Sequence, residues 1–137
     1  MIPQEVFVSY ASPDAAFAVR LVETLRRHGV PVWCSGTSLR AGQQWHDEIG
    51  AALERCDWFL VVLSPHALAS SWVRREVVFA LQQKRLEQTI VPILLALCDL
   101  GRFAWTLSLY QIADFTGSFE QGCREVLRAW GIAYRPL

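Results

Sequence analysis

The sequence has no uninterrupted apolar run of about 18 residues and no basic segment leading into a long apolar core, so neither a membrane-spanning helix nor a secretory leader is expected. The default address is therefore the cytoplasm. Neither sign of charge is in excess: thirteen Lys and Arg stand against thirteen Asp and Glu, so no overall field draws the chain to nucleic acid or an anionic membrane. Basic pairs such as Arg26-Arg27 and Arg74-Arg75 read as solvated helix faces. Cys34, Cys56, Cys98 and Cys123 include no C-x-x-C and lie in apolar surroundings, which suits reduced core thiols better than a disulfide framework or zinc site. His28, His46 and His66 are isolated and read as surface or cap residues, so no metal is expected. No Ser/His/Asp arrangement is readable from spacing, and Ser64-Pro65 reads as a turn. The segment Val6 to Asp14 contains no glycine, which excludes the G-x-G-x-x-G fingerprint of a dehydrogenase after the first strand.

What is there is a strongly apolar chain. Its 137 residues are 53% hydrophobic, with six Trp and seven Phe, which describes one ordered domain over 1–137 with a sizeable core. Val6 to Tyr10 is a short β-rich run. Ser12 then serves as N-cap with Pro13 in the first turn of a helix, whose stripe Phe17, Ala18, Leu21, Val22 and Leu25 ends at His28-Gly29. Val30 to Cys34 is a second strand, and Pro31 assigns it to an end or edge of the sheet. Residues 35–44 form a loop longer than the usual connection. Trp45, Ile49, Ala52, Leu53 and Cys56 mark a second core-facing helix. Trp58 to Leu63 is apolar at every position, as in a central strand buried on both faces. Ile90 to Leu95 and Ile112 to Phe115 are further strands, residues 98–110 are irregular or briefly helical, and Ser118 with Gln121 resembles a capping box before a last helix. Tyr134 to Leu137 look like a linker to another module.

Strands alternating with helices predict an α/β domain with a parallel sheet covered on both faces. Such sheets bind ligands beyond the carboxyl ends of their strands, where strand order reverses. That gathers three loops, 9–14, 35–44 and 64–72. The helix after the last of them carries the stripe Val73, Val77, Ala80 and Leu81, and one residue behind it lie Trp72 and Glu76, four apart on one flank. An aromatic plate beside a lone carboxylate at the rim of a core suits a nucleotide. The plainer alternative makes Glu76 a solvated helix charge paired with Arg75 or Lys84. For Trp33 likewise, a core position competes with a stacking role on a ligand ring.

Val6-Phe7-Val8-Ser9-Tyr10-Ala11-Ser12-Pro13-Asp14, then Gly29-Val30-Pro31-Val32-Trp33, Leu39-Arg40-Ala41-Gly42, Phe59-Leu60-Val61-Val62-Leu63-Ser64-Pro65 and Ser71-Trp72 with Glu76 together resemble the TIR (Toll/interleukin-1 receptor) domain over nearly the whole chain. The resemblance implies a flavodoxin-like three-layer sandwich with five parallel strands in the order 2-1-3-4-5. It makes Leu39, Arg40, Ala41 and Gly42 part of the BB loop, through which TIR domains assemble. Enzymatic members cleave NAD+ at the nicotinamide–ribose bond with a glutamate in a pattern like S-x-W-x-x-x-E. Ser70, Trp72 and Glu76 fit it, so Glu76 takes the catalytic role, with Ser9, Tyr10, Ala11, Trp33, Ser70 and Trp72 around the substrate. Two positions depart from the family: Cys34-Ser35 replaces the acidic residue common after the second strand, and Ala41 replaces the loop proline that would fix φ.

Three functions follow as expectations. In the first, the chain is an NAD+ hydrolase or cyclase that becomes active on TIR–TIR assembly, with NAD+ consumed as substrate and no cofactor held. Resemblance to compact bacterial members adds an anti-phage immune role and a fused or associated sensor domain. In the second, it is a non-catalytic TIR adaptor. A receiver- or flavin-type module ranks last, because Ser9 and Ser64 stand where a receiver needs acidic residues.

Overall fold

The computed structural model describes residues 2–34 and 45–137. Five strands, β1 (Val6–Ser9), β2 (Val32–Cys34), β3 (Trp58–Leu63), β4 (Ile90–Leu94) and β5 (Ala113–Asp114), form one sheet in the order β2-β1-β3-β4-β5, with every pairing parallel. Four longer helices, α1 (Ala15–Arg27), α2 (Trp45–Arg55), α3 (Ser71–Gln82) and α4 (Phe119–Arg128), cover it. This is the flavodoxin-like order expected, with strand order reversing between β1 and β3.

The period-two alternation of strand side chains divides the core into two layers. Val6, Val8, Leu60, Val62, Val91 and Ile93 pack with Leu21, Val22 and Leu25 of α1 and with Cys123, Val126 and Leu127 of α4. Phe7, Phe59, Val61 and Leu63 pack on the other side with Ile49, Ala52 and Leu53 of α2 and with Val73, Val77 and Ala80 of α3. Because Ser9 is two residues beyond Phe7, its side chain falls on the α2/α3 side. That register delivers a hydroxyl to α3.

Strand β4 is internal yet contains Pro92. Its odd positions face β3, since Phe59 N–H donates to the Thr89 carbonyl and Leu95 N–H to the Leu63 carbonyl. Pro92 therefore turns its missing donor toward β5, which pairs only with Ile93 and Leu94. Pro31 precedes β2, which lies at the edge as expected.

Several local expectations change. Ser12 caps no helix: Ser12–Asp14 form a 3₁₀ turn whose N-cap is Ala11, and α1 begins only at Ala15. The Asp14 side chain that could cap α1 is instead bonded to Ser64. Ser64-Pro65 is not a simple turn but opens the one-turn helix Pro65–Ala69, with Ser64 Oγ accepting from Ala67 N–H at 3.1 Å and Pro65 where no N–H is needed. His28 is the C-cap of α1, one of the two readings the sequence allows, but it is buried, and the Tyr134 ring stacks on it at 5.5 Å, so this part of the tail packs onto the domain. Cys34, Cys56 and Cys123 are buried and in no disulfide, whereas Cys98 is only half-buried. Burial pushes the Cys56 and Cys123 thiols up to about 12, which makes them inert core residues.

Candidate active site at the carboxyl end of the sheet

Helix α3 is capped by Ser70, whose Oγ accepts from Val73 N–H at 3.2 Å. The cap fixes the phase of the helix, so Val73, Val77 and Ala80 face the core and Glu76 turns inward beside them. Glu76 is only 6% exposed, so it is neither the solvated helix charge nor a partner of Arg75 or Lys84. Ser9 Oγ–H, at the last position of β1, donates to Glu76 Oε1 at 2.6 Å, a buried contact between residues 67 apart. The side chain of Trp72, one turn before, also donates to the carboxyl. Burial pushes the Glu76 carboxyl up to about 7, and the Ser9 and Trp72 hydrogen bonds act in the opposite direction.

This balance has a cost that the packing absorbs. Keeping a carboxylate in an apolar layer with two neutral donors and no cation among the described residues costs about 3 kcal/mol when it is ionised at neutral pH. Full burial of Val73 and Val77 returns about 1.5–3 kcal/mol each. The helix therefore docks with its charge facing in.

The remaining predicted residues divide. Tyr10 is half-buried just beyond β1, and Ala11 is buried, its carbonyl accepting from Asp14 N–H at 2.8 Å. Trp33 is in the core, 6% exposed, stacked on Phe7 at 5.1 Å, with Phe7 in turn stacked on Phe59 at 5.5 Å. Ser70 is half-buried and occupied as a cap. The loop residues Leu39, Arg40, Ala41 and Gly42 lie outside the described residues.

Sequence reasoning passed over a second buried Ser–carboxylate pair. Ser64 Oγ–H, just after β3, donates to Asp14 Oδ2 at 2.5 Å, with Ser64 1% and Asp14 7% exposed. Ser64 followed by Pro65 signals a helix cap as well as a turn, but nothing local in the sequence signals the partner at Asp14. The bond ties loop 9–14 to loop 64–72, two of the three that the parallel-sheet rule gathers. A cavity of about 380 Å³ lies elsewhere, at the amino end of β4, lined by Trp58, Ile90, Tyr110, Gln111 and Arg128 among others and by none of the predicted site residues. No group of His, Cys, Asp and Glu among the described residues could hold a metal ion, and no helix among them is long and apolar enough to cross a membrane.

An α/β domain with strand order 2-1-3-4-5 and a buried glutamate at its switch point belongs to the flavodoxin-like class. The family model for the TIR domain matches residues 6–127, and the chain belongs to that family. It is 34% identical over 74 residues to the 2' cyclic ADP-D-ribose synthase AbTIR of Acinetobacter baumannii, a stretch covering 53% of this chain and 28% of that protein. The match thus spans little more than a quarter of the relative's length. Among solved structures, the TIR domain of the Toll-related receptor TRR-2 from Hydra magnipapillata superposes with a TM-score of 0.75 at 21% identity, over 90% of this chain and 95% of that one. A TIR-STING receptor from C. gigas gives 0.75 at 19% identity, over 96% of this chain and 40% of that one. At such identities these structures establish the fold alone.

Proposed function

We propose that the chain cleaves NAD+ at the nicotinamide–ribose bond, with Glu76 as the catalytic carboxylate. The observation that carries this is a buried glutamate with two neutral donors and no ion-pair partner among the described residues, at the switch point of a parallel sheet. A structural salt bridge would supply a cation there. Here that charge is left for something else to meet.

The chemistry needs one carboxylate. As the C1′–N bond breaks, its electron pair goes to the nicotinamide ring nitrogen, which turns from pyridinium to neutral pyridine, so no general acid is required. Positive charge develops on C1′ and the ring oxygen, and an anion beside them stabilises it most where water is excluded. Most glycosidases need a second carboxyl to protonate the leaving oxygen. Water attacking C1′ and losing its proton gives ADP-ribose, whereas a hydroxyl of the substrate itself gives a cyclic product, as the name of the Acinetobacter relative records for that protein.

Assembly through segment 35–44 of neighbouring copies completes the active site in this reading, and the protein acts as an immune effector coupled to a sensor. These parts rest on the family. A head-to-tail contact of this kind forms open filaments when its rotation does not close.

One observation favours a non-catalytic scaffold instead: Glu76 is 6% exposed and tied to β1, as a polar anchor of α3 would be. The two readings separate when the assembled chain is incubated with NAD+ and free nicotinamide and the ribosyl product are followed by chromatography. Release that disappears in Glu76→Gln, with the oligomer intact, is the expected result. Unchanged NAD+ in the assembled wild type would leave only the scaffold.

A further inference from the structure

Ser9 differs in kind from the other residues around Glu76. It is the last residue of β1, its backbone is registered against Val61 of β3, and its side chain is 1% exposed. It is too deep to be a substrate contact in this conformation and is already committed to Glu76 Oε1 at 2.6 Å. Glu76, in contrast, sits on a helix and has a long side chain with several rotamers. The Trp72 donor lies on the same helix as Glu76, whereas the Ser9 hydroxyl is mounted on the sheet and gives the carboxylate a fixed point outside its own helix.

We infer that Ser9 is a positioning residue for Glu76: its hydroxyl anchors one carboxylate oxygen to the carboxyl end of β1 and holds the anion in the orientation in which it faces the sugar. This rests on the reading of Glu76 as the catalytic carboxylate and replaces a substrate-binding role for Ser9. The bond has a second consequence. A donor to the ionised form favours ionisation, so Ser9 opposes the burial that keeps the carboxyl protonated. Among the described residues no charged or other titratable group acts on Glu76, and the Trp72 side chain is the second donor. Loss of Ser9 therefore has little to compensate it. The hydroxyl gives no proton up and forms no covalent bond. It acts through Glu76 alone.

The test compares the full chain with Ser9→Ala, Ser9→Thr and Ser9→Cys. Titration of the Glu76 side-chain carboxyl by carbon NMR reads the contact without any activity. Ser9→Ala is expected to move the midpoint upward by about one pH unit, with Ser9→Thr, which keeps the hydroxyl, close to wild type. In nicotinamide release, Ser9→Ala is expected to lower kcat about tenfold at pH 7 with KM within twofold, the loss shrinking as pH rises. Ser9→Cys is nearly isosteric but a weaker donor, and it is expected to fall between them, which keeps the test available if the alanine variant does not fold. A midpoint unmoved in both Ser9→Ala and Ser9→Cys, or an equal loss in Ser9→Thr, would overturn the inference. Activity that survives Glu76→Gln would instead remove the catalytic reading, and the NMR titration would still report the contact.

Discussion

The Ser64 hydroxyl and the Asp14 carboxylate meet at 2.5 Å, 50 residues apart in sequence and each just beyond the end of a neighbouring strand. Ser64 does two things at once: it donates to Asp14 and accepts from Ala67 N–H. Asp14→Ala removes the acceptor and leaves a buried hydroxyl without one, so a loss of about 1–3 kcal/mol is expected, measured as a lower urea midpoint at unchanged m-value. Asp14→Asn keeps an acceptor oxygen and should lose less. Equal losses in the two variants would mean that the bond contributes nothing beyond packing.

Gly122 lies on the inner side of α4, directly under the Phe115 ring. A Cβ there would come well inside van der Waals contact with the ring atoms. The ring cannot readily turn aside, because it is held edge-on by Phe17 at 5.1 Å and by Phe119 at 5.7 Å. Gly122→Ala gains about 1 kcal/mol of helix propensity but pays about 1–3 kcal/mol for overpacking, so net destabilisation is expected in thermal melts. Adding Phe115→Leu should recover part of it. A Tm above wild type for Gly122→Ala would show that the ring yields.

How much of this was legible depended on whether the cause was local. Trp58 to Leu63, apolar throughout, reads as a strand covered on both faces and forms one, and Gly29, at φ +83°, ends α1 as the sequence suggests. Ser118 caps α4 by accepting from Gln121 N–H at 3.1 Å. The strand order came through family resemblance, since periodicity carries no information about which strands are neighbours. The direction of Glu76 was only half legible. Spacing put it one residue behind the buried stripe, but the hydroxyl that draws it inward comes from β1. The Asp14–Ser64 pair and the burial of His28 were invisible for the same reason, as their partners are brought in by the fold. The one-turn helix Pro65–Ala69 is too short to show a period.

His28 holds the tail through a fixed tautomer. Its Nε2 accepts from Arg135 N–H at 2.8 Å, so the ring proton is on Nδ1, which donates to the Thr24 carbonyl at 2.8 Å. His28→Phe keeps a ring for Tyr134 to stack on and removes both bonds. Hydrogen exchange at the Arg135 amide is expected to speed up about tenfold or more, the change that about 1.4 kcal/mol produces. Protection equal to wild type would mean that the stack and the Arg27 bond to the Arg135 carbonyl hold the tail by themselves.

The buried carboxyl of Glu76 makes stability depend on pH in an unusual direction. Burial raises it from an ordinary 4.5 to about 7 in the folded chain, against the pull of the Ser9 and Trp72 hydrogen bonds. Between those values the folded chain keeps a proton that the unfolded chain has released, so stability falls as pH rises. The contribution is full below about pH 4.5 and gone above about pH 7, and it amounts to about 3 kcal/mol. Glu76→Gln is neutral at every pH. It should match wild type near pH 4 and exceed it at pH 8 by up to that amount, read from urea unfolding at both values. Trp72→Phe, which keeps an aromatic ring but loses the indole N–H, should steepen the fall. Parallel curves for wild type and Glu76→Gln would mean that water reaches the carboxylate freely in the folded chain. A wild type less stable than its glutamine variant at pH 8 would instead mark position 76 as one where the chain retains a charge that its own packing disfavours, which is what a residue kept for chemistry looks like.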